Sequence, residues 1–269
     1  MTLDFTVLLP VWRGDDAEFF RQAAASVAAS SLAPAELLIC QDGVLTAALE
    51  TAVDEVIAAH GARLVCNPGP GGLHHNLNHA LKSVRTDWVA RCDADDLNAP
   101  HRFETQARFL QSRPDVSVLG SDLVEFWPDG RERRKLMPTA HEAIVSMARW
   151  RSPINHNTAF YRTESVLAVG GYPDLPLKED YALWLKLIGQ GVRFANIPAA
   201  LVRARLGPAF HHRRTGLHNL ASEWRIYQVR RATPGMGGVS ALAALAARSA
   251  ALAASHPGRL IYRWGLRSH

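Results

Sequence analysis

Residues 88–100 read WVARCDADDLNAP, and the reading of this stretch decides the fold. Three carboxylates, Asp93, Asp95 and Asp96, follow directly on an apolar run. Crowded carboxylates repel one another, so a positive partner has to offset them. A continuous apolar run that ends abruptly in charge is the pattern of a strand buried on both faces, with its carboxyl end open to solvent. Three earlier stretches have the same form: FTVLLPVW (5–12), AELLICQDG (35–43) and ARLVCNPGPGG (62–72). Helical spacing fills the gaps. Asp15 or Asp16 can cap a helix with Phe19, Ala23 and Val27 on one face. Thr46 can cap a second, with Leu49, Ala52, Val53, Val56 and Ile57 inward. Leu73, Leu77, Ala80, Leu81 and Val84 mark a third. The first hundred residues therefore read β-α-β-α-β-α-β, a parallel sheet with helices on both faces. Ligands of such sheets bind beyond the strand carboxyl ends, so Asp42 and Asp93 are expected to share one crevice.

The second half is more mixed. VSVLGSDLVEFWPDGRERRKLM reads as a strand and a hairpin about Pro128–Gly130. Thr139 to Glu142 fits a capping box. NTAFYR reads as a strand, KEDYALWLKLIGQG as a helix closed by Gly191, and VRFANIP and ALVRARL as two short strands. A helix about Leu217, Leu220, Ala221, Trp224 and Tyr227 follows, then a Gly/Pro linker (234–238) and an alanine-rich helix with a basic, aromatic end.

Composition narrows the class. Of 269 residues, 48% are hydrophobic and 20% charged, which excludes a largely disordered chain. From Arg203 onward there are eleven arginines and one acid, Glu223, so this segment carries about +10 of a total of +5, and the remainder is acidic. Such a tail suits a phosphate-bearing ligand or an anionic membrane surface. Neither zinc-finger spacing nor a basic sheet interleaved with aromatics supports nucleic acid. The three cysteines, Cys40, Cys66 and Cys92, each close an apolar run and read as buried small hydrophobes in a reducing compartment. The expectation is a cytoplasmic protein without a leader or a spanning segment.

The chemistry begins at Asp93-Ala94-Asp95. Two carboxylates one residue apart at a strand end can share a divalent cation, Mn²⁺ or Mg²⁺, which prefers oxygen and keeps substrate phosphates as further ligands. On its own, the same pattern also reads as a solvated acidic turn. The stretches TVLLPVW, LLICQDG, WVARCDADDLNAPHRFETQARFL, PINHNTAFYR, VGGYPD and KEDYALWLKL, in this order, resemble family 2 glycosyltransferases of the GT-A fold, over most of residues 4–205. The subgroup most similar comprises bacterial enzymes that assemble surface or extracellular polysaccharide.

The resemblance implies an inverting enzyme that uses a nucleotide-sugar donor, usually a UDP-sugar, and a saccharide or lipid-linked acceptor. It places the backbone of Pro10, Val11 and Trp12 around the base, Asp42 on uracil, and Asn78 and Arg91 near the nucleotide. Asp93 would serve ribose or the metal shell, Asp95 the metal, and Asp96 the turn. Val44 stands where the family often has serine. Of Glu179 and Asp180, it makes Asp180 the first choice for the general base. His156 would border the acceptor, with Asn157 where the pattern usually has proline, and Trp184 would line the acceptor side or the core. His211 or His212 could ligate the metal, and Arg213 or Arg214 could grip the diphosphate. His74 and His75 read as exposed helix-start residues.

The implied organisation is a catalytic GT-A domain over 1–232, with a nucleotide-binding half to about 100 and an acceptor half beyond it, and a basic helical extension over 233–269. Arg248, Arg259, Tyr262, Arg263, Trp264 and Arg267 suit peripheral attachment to the inner face of the plasma membrane. Packing on the catalytic domain or in a homodimer are the other readings of this extension. Two competing functions differ in class. A nucleotidyltransferase shares the strand-end carboxylates but needs a basic, glycine-rich loop after the first strand, which PVWRGDD does not supply. A silent sugar-nucleotide or polysaccharide-binding module has no need of both acidic pairs.

Overall fold

The computed structural model describes residues 3–69, 71–207 and 220–253. Its centre is a mixed sheet. Strands β1 (Phe5–Trp12), β2 (Glu36–Asp42), β3 (Arg63–Asn67) and β4 (Trp88–Arg91) run parallel in the order β3-β2-β1-β4. The sheet continues through β8 (Phe160–Arg162), β6 (Val116–Phe126), β9 (Arg193–Arg205) and the two-residue β5 (Leu97–Asn98), with β7 (Glu132–Lys135) hairpinned on β6. Strand β8 is antiparallel to both its neighbours, whereas β6 and β9 are parallel.

Both faces are covered. Helices α1 (Ala17–Ala28), α2 (Ala47–His60) and α4 (Arg102–Ser112) pack Phe20, Val27, Leu49, Val53 and Phe103 on Val7, Leu9 and Ile39. On the other face, α3 (Leu73–Leu81) and α7 (Glu179–Gly189) pack Leu77, Leu81, Leu183 and Trp184 on Leu8, Leu38 and Val89. Successive residues of β1 thus enter different cores, which is why its sequence is apolar without alternation. Helices α1 and α2 accompany the chain outward from β1 to β3, and α3 accompanies its return past β1 to β4. Right-handed crossovers in opposite directions must lie on opposite faces, so the topology switches between β1 and β4. A crevice opens there.

Local signals set the boundaries. Asp16 caps α1 by accepting from the Glu18 and Phe19 amides at 2.9 and 3.0 Å, and Thr46 caps α2. Short helices α5 (His141–Ala148) and α6 (Thr163–Ala168) flank β8. Four details depart from the sequence reading. The capping box at Thr139 does not form: α5 starts one turn-position later, after Ala140, with no side-chain cap. The two short strands after α7 are one long strand, β9, whose register slips beside Pro198. Cys66 is exposed, because it lies on the edge strand β3. His74 is buried, and only His75 is exposed.

The last described residues form a helical hairpin, α8 (Leu220–Ala232) and α9 (Val239–Ala253). Ile226 and Met236 join Tyr181, Ala182 and Leu185 of α7 in a separate small core. Tyr227 is buried as expected, but Ala221 and Trp224, expected on the same inner face of α8, are exposed, and Glu223, Ile226 and Arg230 point inward instead. Buried Glu223 receives Lys178, just before α7, and Arg248 of α9 at 2.8 Å. No described helix is long and apolar enough to cross a membrane.

Candidate active site

The crevice is lined by the loops after β1, β2 and β4. Trp12 ends β1 opposite Asp42 in the sheet register and is half exposed, while Pro10 and Val11 are buried within the strand. The indole folds over Gly14, where an added Cβ would meet Trp12 at 2.3 Å. Asp42 grips the glycine loop ahead of α3: Oδ1 accepts from the Gly71 amide at 3.0 Å and from Asn67 Nδ2 at 3.2 Å, and Oδ2 accepts from the Gly72 amide at 3.0 Å. A carboxylate oxygen accommodates two donors, so Oδ2 retains capacity for another.

Residues 91–98 form a tight acidic turn. Arg91 is buried to 1% exposure and its guanidinium meets Asp93 Oδ1 at 2.6 Å, so it reaches the crevice only through Asp93. Asp96 points inward, accepting from Asn157 Nδ2 and, at 2.9 Å, from the Arg205 amide. Asn157, standing where the family pattern has proline, thus ties the turn to β8. Arg205 donates from Nε to the Asp95 carbonyl at 3.1 Å and lies 3.8 Å over the Phe19 ring.

Two residues that sequence reasoning left out complete this region. Asp15, weighed only as a cap, accepts from the Trp12 amide at 3.0 Å and faces Asp93 and Asp95. Arg102 is wholly buried beneath the turn. It donates to the Arg91 carbonyl at 2.8 Å, to Asn98 Oδ1, and to Gln106 Oε1 at 3.1 Å. The one signal in the sequence was a lone arginine on the apolar side of α4. Each buried acceptor left unmatched costs about 1–3 kcal/mol. Arg102→Met is therefore expected to destabilise the fold by about 2–4 kcal/mol, read as a lower urea midpoint, and to weaken Mn²⁺ binding as the turn loosens.

Burial, then the charges of Asp95 and Asp93, push the Asp15 carboxyl up to about 7 against the pull of the Trp12 amide. Burial and Asp93 push Asp95 up to about 6, and Asp96 is raised well above the carboxylate range by burial first. The cluster thus holds protons that a free carboxylate would lose. An all-oxygen donor set crowded in this way fits a hard divalent cation, which would take the protons' place. The sign follows from linkage. Between about pH 4 and 7 the folded state binds more protons than the unfolded chain, so stability without metal falls as pH rises through this window. Mn²⁺ is accordingly expected to raise the melting temperature more at pH 8 than at pH 5.5. Equal shifts in a thermal scan would show that these groups do not meet the cation.

The second acidic pair, Glu179 and Asp180, lies at the start of α7. Leu177, at φ +67°, is the only described non-glycine residue with positive φ, and it turns the chain into α7. Glu179 is buried at 7%, whereas Asp180 is half buried and accepts from Ser152 Oγ at 3.1 Å. Both occupy the first turn of α7, where the helix dipole favours negative charge. His156 Nε2 meets Tyr172 Oη at 3.0 Å; burial and the charge of Arg91 keep this imidazole neutral. Asn78 does not face the crevice openly: its amide donates to the Tyr172 carbonyl and accepts from the Tyr172 amide, both at 2.8 Å. Trp184 is fully buried between His156, Tyr161 and Phe194, so it belongs to the core and not to an acceptor surface. His211, His212, Arg213 and Arg214 lie outside the described residues.

The parallel half, the acidic turn after β4 and the Glu179–Asp180 pair at the start of α7 are thus set in a mixed, mostly parallel α/β sheet. The chain belongs to glycosyl transferase family 2, whose model matches residues 6–170. It is 34% identical over 230 residues to an uncharacterised glycosyltransferase of Haemophilus influenzae, covering 85% of each chain. It is 30% identical to the amylovoran biosynthesis glycosyltransferase AmsE of Erwinia amylovora, over 84% of this chain and 85% of that one. An Escherichia coli UDP-Gal:α-D-GlcNAc-diphosphoundecaprenol β-1,3-galactosyltransferase is 33% identical, over 82% and 81%. Among solved structures, S. aureus TarS (residues 1–349) in complex with UDP-GlcNAc superposes with a TM-score of 0.70 at 18% identity, over 91% of this chain and 72% of that one. A Pyrobaculum calidifontis mannosyltransferase in complex with GDP-Man and Mn²⁺ gives 0.65 at 18%, over 99% and 80%. At these identities the structures establish the GT-A fold alone.

Proposed function

We propose that the protein is a metal-dependent, inverting glycosyltransferase that moves a sugar from a UDP-sugar to a saccharide or lipid-linked acceptor in polysaccharide synthesis. The observation that carries this reading is the acidic cluster of Asp15, Asp93 and Asp95 at the β1/β4 switch point. Trp12 and Asp42 bind the base; Asp42 keeps an accepting position on Oδ2 for an imide N–H. Asp93, steadied by Arg91, and Asp95 hold the cation, with Asp15 as an added oxygen donor. A bound Mn²⁺ or Mg²⁺ supplies charge neutralisation to the departing diphosphate. Asp180 takes the proton of the acceptor hydroxyl as its oxygen bonds to the anomeric carbon and the bond to the diphosphate breaks. Glu179, more deeply buried, supports the helix start. The name of the E. coli relative supports a lipid-linked acceptor, and the basic C-terminal stretch supports work at an anionic membrane face.

The test is incubation with a panel of nucleotide sugars, Mn²⁺ and diphosphate-linked or free saccharide acceptors. Release of nucleoside diphosphate and a β-product from an α-donor are expected. Pyrophosphate release would instead mark a nucleotidyltransferase. Binding of no nucleotide sugar, with or without metal, would overturn the donor assignment.

A further inference from the structure

A second set of potential ligands stands beside the base-side loop, away from the acidic turn. His74 and His75 open α3, and Asp174 approaches them from the segment before α7. One ligand atom from each lies within 4.8 Å of the others. His74 is only 5% exposed, yet its Nε2 has no hydrogen-bond partner, although Asp174 Oδ1 is 3.1 Å away. The two atoms are thus in ion-pair range without the alignment of a hydrogen bond. Two ligand atoms that share a cation at about 2.0–2.1 Å lie about 2.8–3.4 Å apart in octahedral or tetrahedral geometry, and the His74–Asp174 pair falls in this range.

We propose that His74, His75 and Asp174 form a site for a borderline divalent transition metal of the zinc, cobalt or nickel kind. Two imidazoles and a carboxylate suit such ions, whereas the oxygen-only set at Asp93 and Asp95 suits Mn²⁺ or Mg²⁺. The surroundings are built to present these ligands. An added Cβ at Gly71 would strike His75 Cβ at 2.5 Å, so glycine is needed to seat that ring. Asn78 fixes the Tyr172 backbone two residues before Asp174. Burial first, then His75, lowers the His74 pKa and favours the neutral, metal-binding ring. A cation here clips the glycine loop that Asp42 holds to the segment leading into Glu179 and Asp180. It thereby joins the start of α3 to the segment before α7.

The experiment titrates Co²⁺ into the Asp95→Asn protein, in which the acidic turn is weakened, and reads binding and visible d–d absorption. Expected is one tight equivalent with an imidazole-type spectrum. His75→Ala or Asp174→Asn in that background is expected to weaken it by about 10-fold or more. Both side chains are on the surface, so folding is not at stake; a circular dichroism melt checks it. Co²⁺ binding that is absent in Asp95→Asn, or unchanged by both substitutions, would overturn the site. The latter result leaves His74 and Asp174 as an ion pair only. Neither outcome depends on the donor or on transfer activity.

Discussion

Asp180→Asn is expected to bind the donor normally and to lose about 10²–10⁴-fold in kcat, the usual range for a positioned general base. The substitution keeps size and shape, so the Ser152 hydroxyl can still reach the side chain. What it removes is the capacity to accept the acceptor's proton as the new C–O bond forms. The proposal sets donor affinity at Trp12, Asp42 and the acidic turn, so it is expected to stay within about threefold. Both constants come from steady-state transfer at saturating acceptor, with nucleotide binding measured separately. Unchanged kcat would move the base to another group. A fall in donor affinity with kcat intact would make Asp180 a donor contact. Glu179→Gln is the companion variant: at 7% exposure Glu179 lies beneath the surface, so its loss lowers the melting temperature before it slows transfer.

The second large effect falls on the cation. Asp95→Asn is expected to weaken Mn²⁺ by about 100-fold or more, since a neutral amide would replace a charged group proposed to touch the ion, and losing a mere support of a ligand already costs about 10–100-fold. The metal-induced rise in melting temperature at pH 8 disappears with it, and the donor KM increases. Asp96→Asn separates ligand from scaffold. Its carboxyl lies buried on Asn157 and the Arg205 amide, so this change acts on stability while Mn²⁺ affinity follows only as the turn loosens. Equal Mn²⁺ affinities for wild type and Asp95→Asn, by calorimetry, would remove Asp95 from the metal site.

The parallel half was legible because each of its rules is local. Apolar runs of strand length and cap residues at helix starts, Thr46 and one of Asp15 and Asp16, are read within a few residues. The strand-end positions of Asp42 and Asp93 followed from the same runs. What escaped was long-range. Nothing in the chain around Arg102 says that its guanidinium ends beneath residue 91, or that Asn157 meets Asp96 across 61 positions. Asp15 looked like a cap because Asp and cap positions share one chemistry, and only the neighbouring Asp16 takes that role. β9 was divided by Pro198, which the sheet absorbs as a slip in register and not as a break. Trp224 was assigned inward by periodicity, but α8 buries charge instead, since Glu223 is needed by Lys178 and Arg248.

That buried trio also changes what trimming the chain would do. Lys178 precedes α7 by one residue and Asp180 follows two residues later, so the anchor of the helix start is a glutamate in the terminal hairpin. Burial and Arg248 already hold the Lys178 ammonium down at about 8. A chain cut at Ala232 keeps Glu223 but forfeits Arg248, and one cut before Leu220 leaves an ammonium stranded at the foot of the helix. The hairpin is thus a counterweight: whatever pulls on it is balanced at Lys178, two residues from the proposed base Asp180.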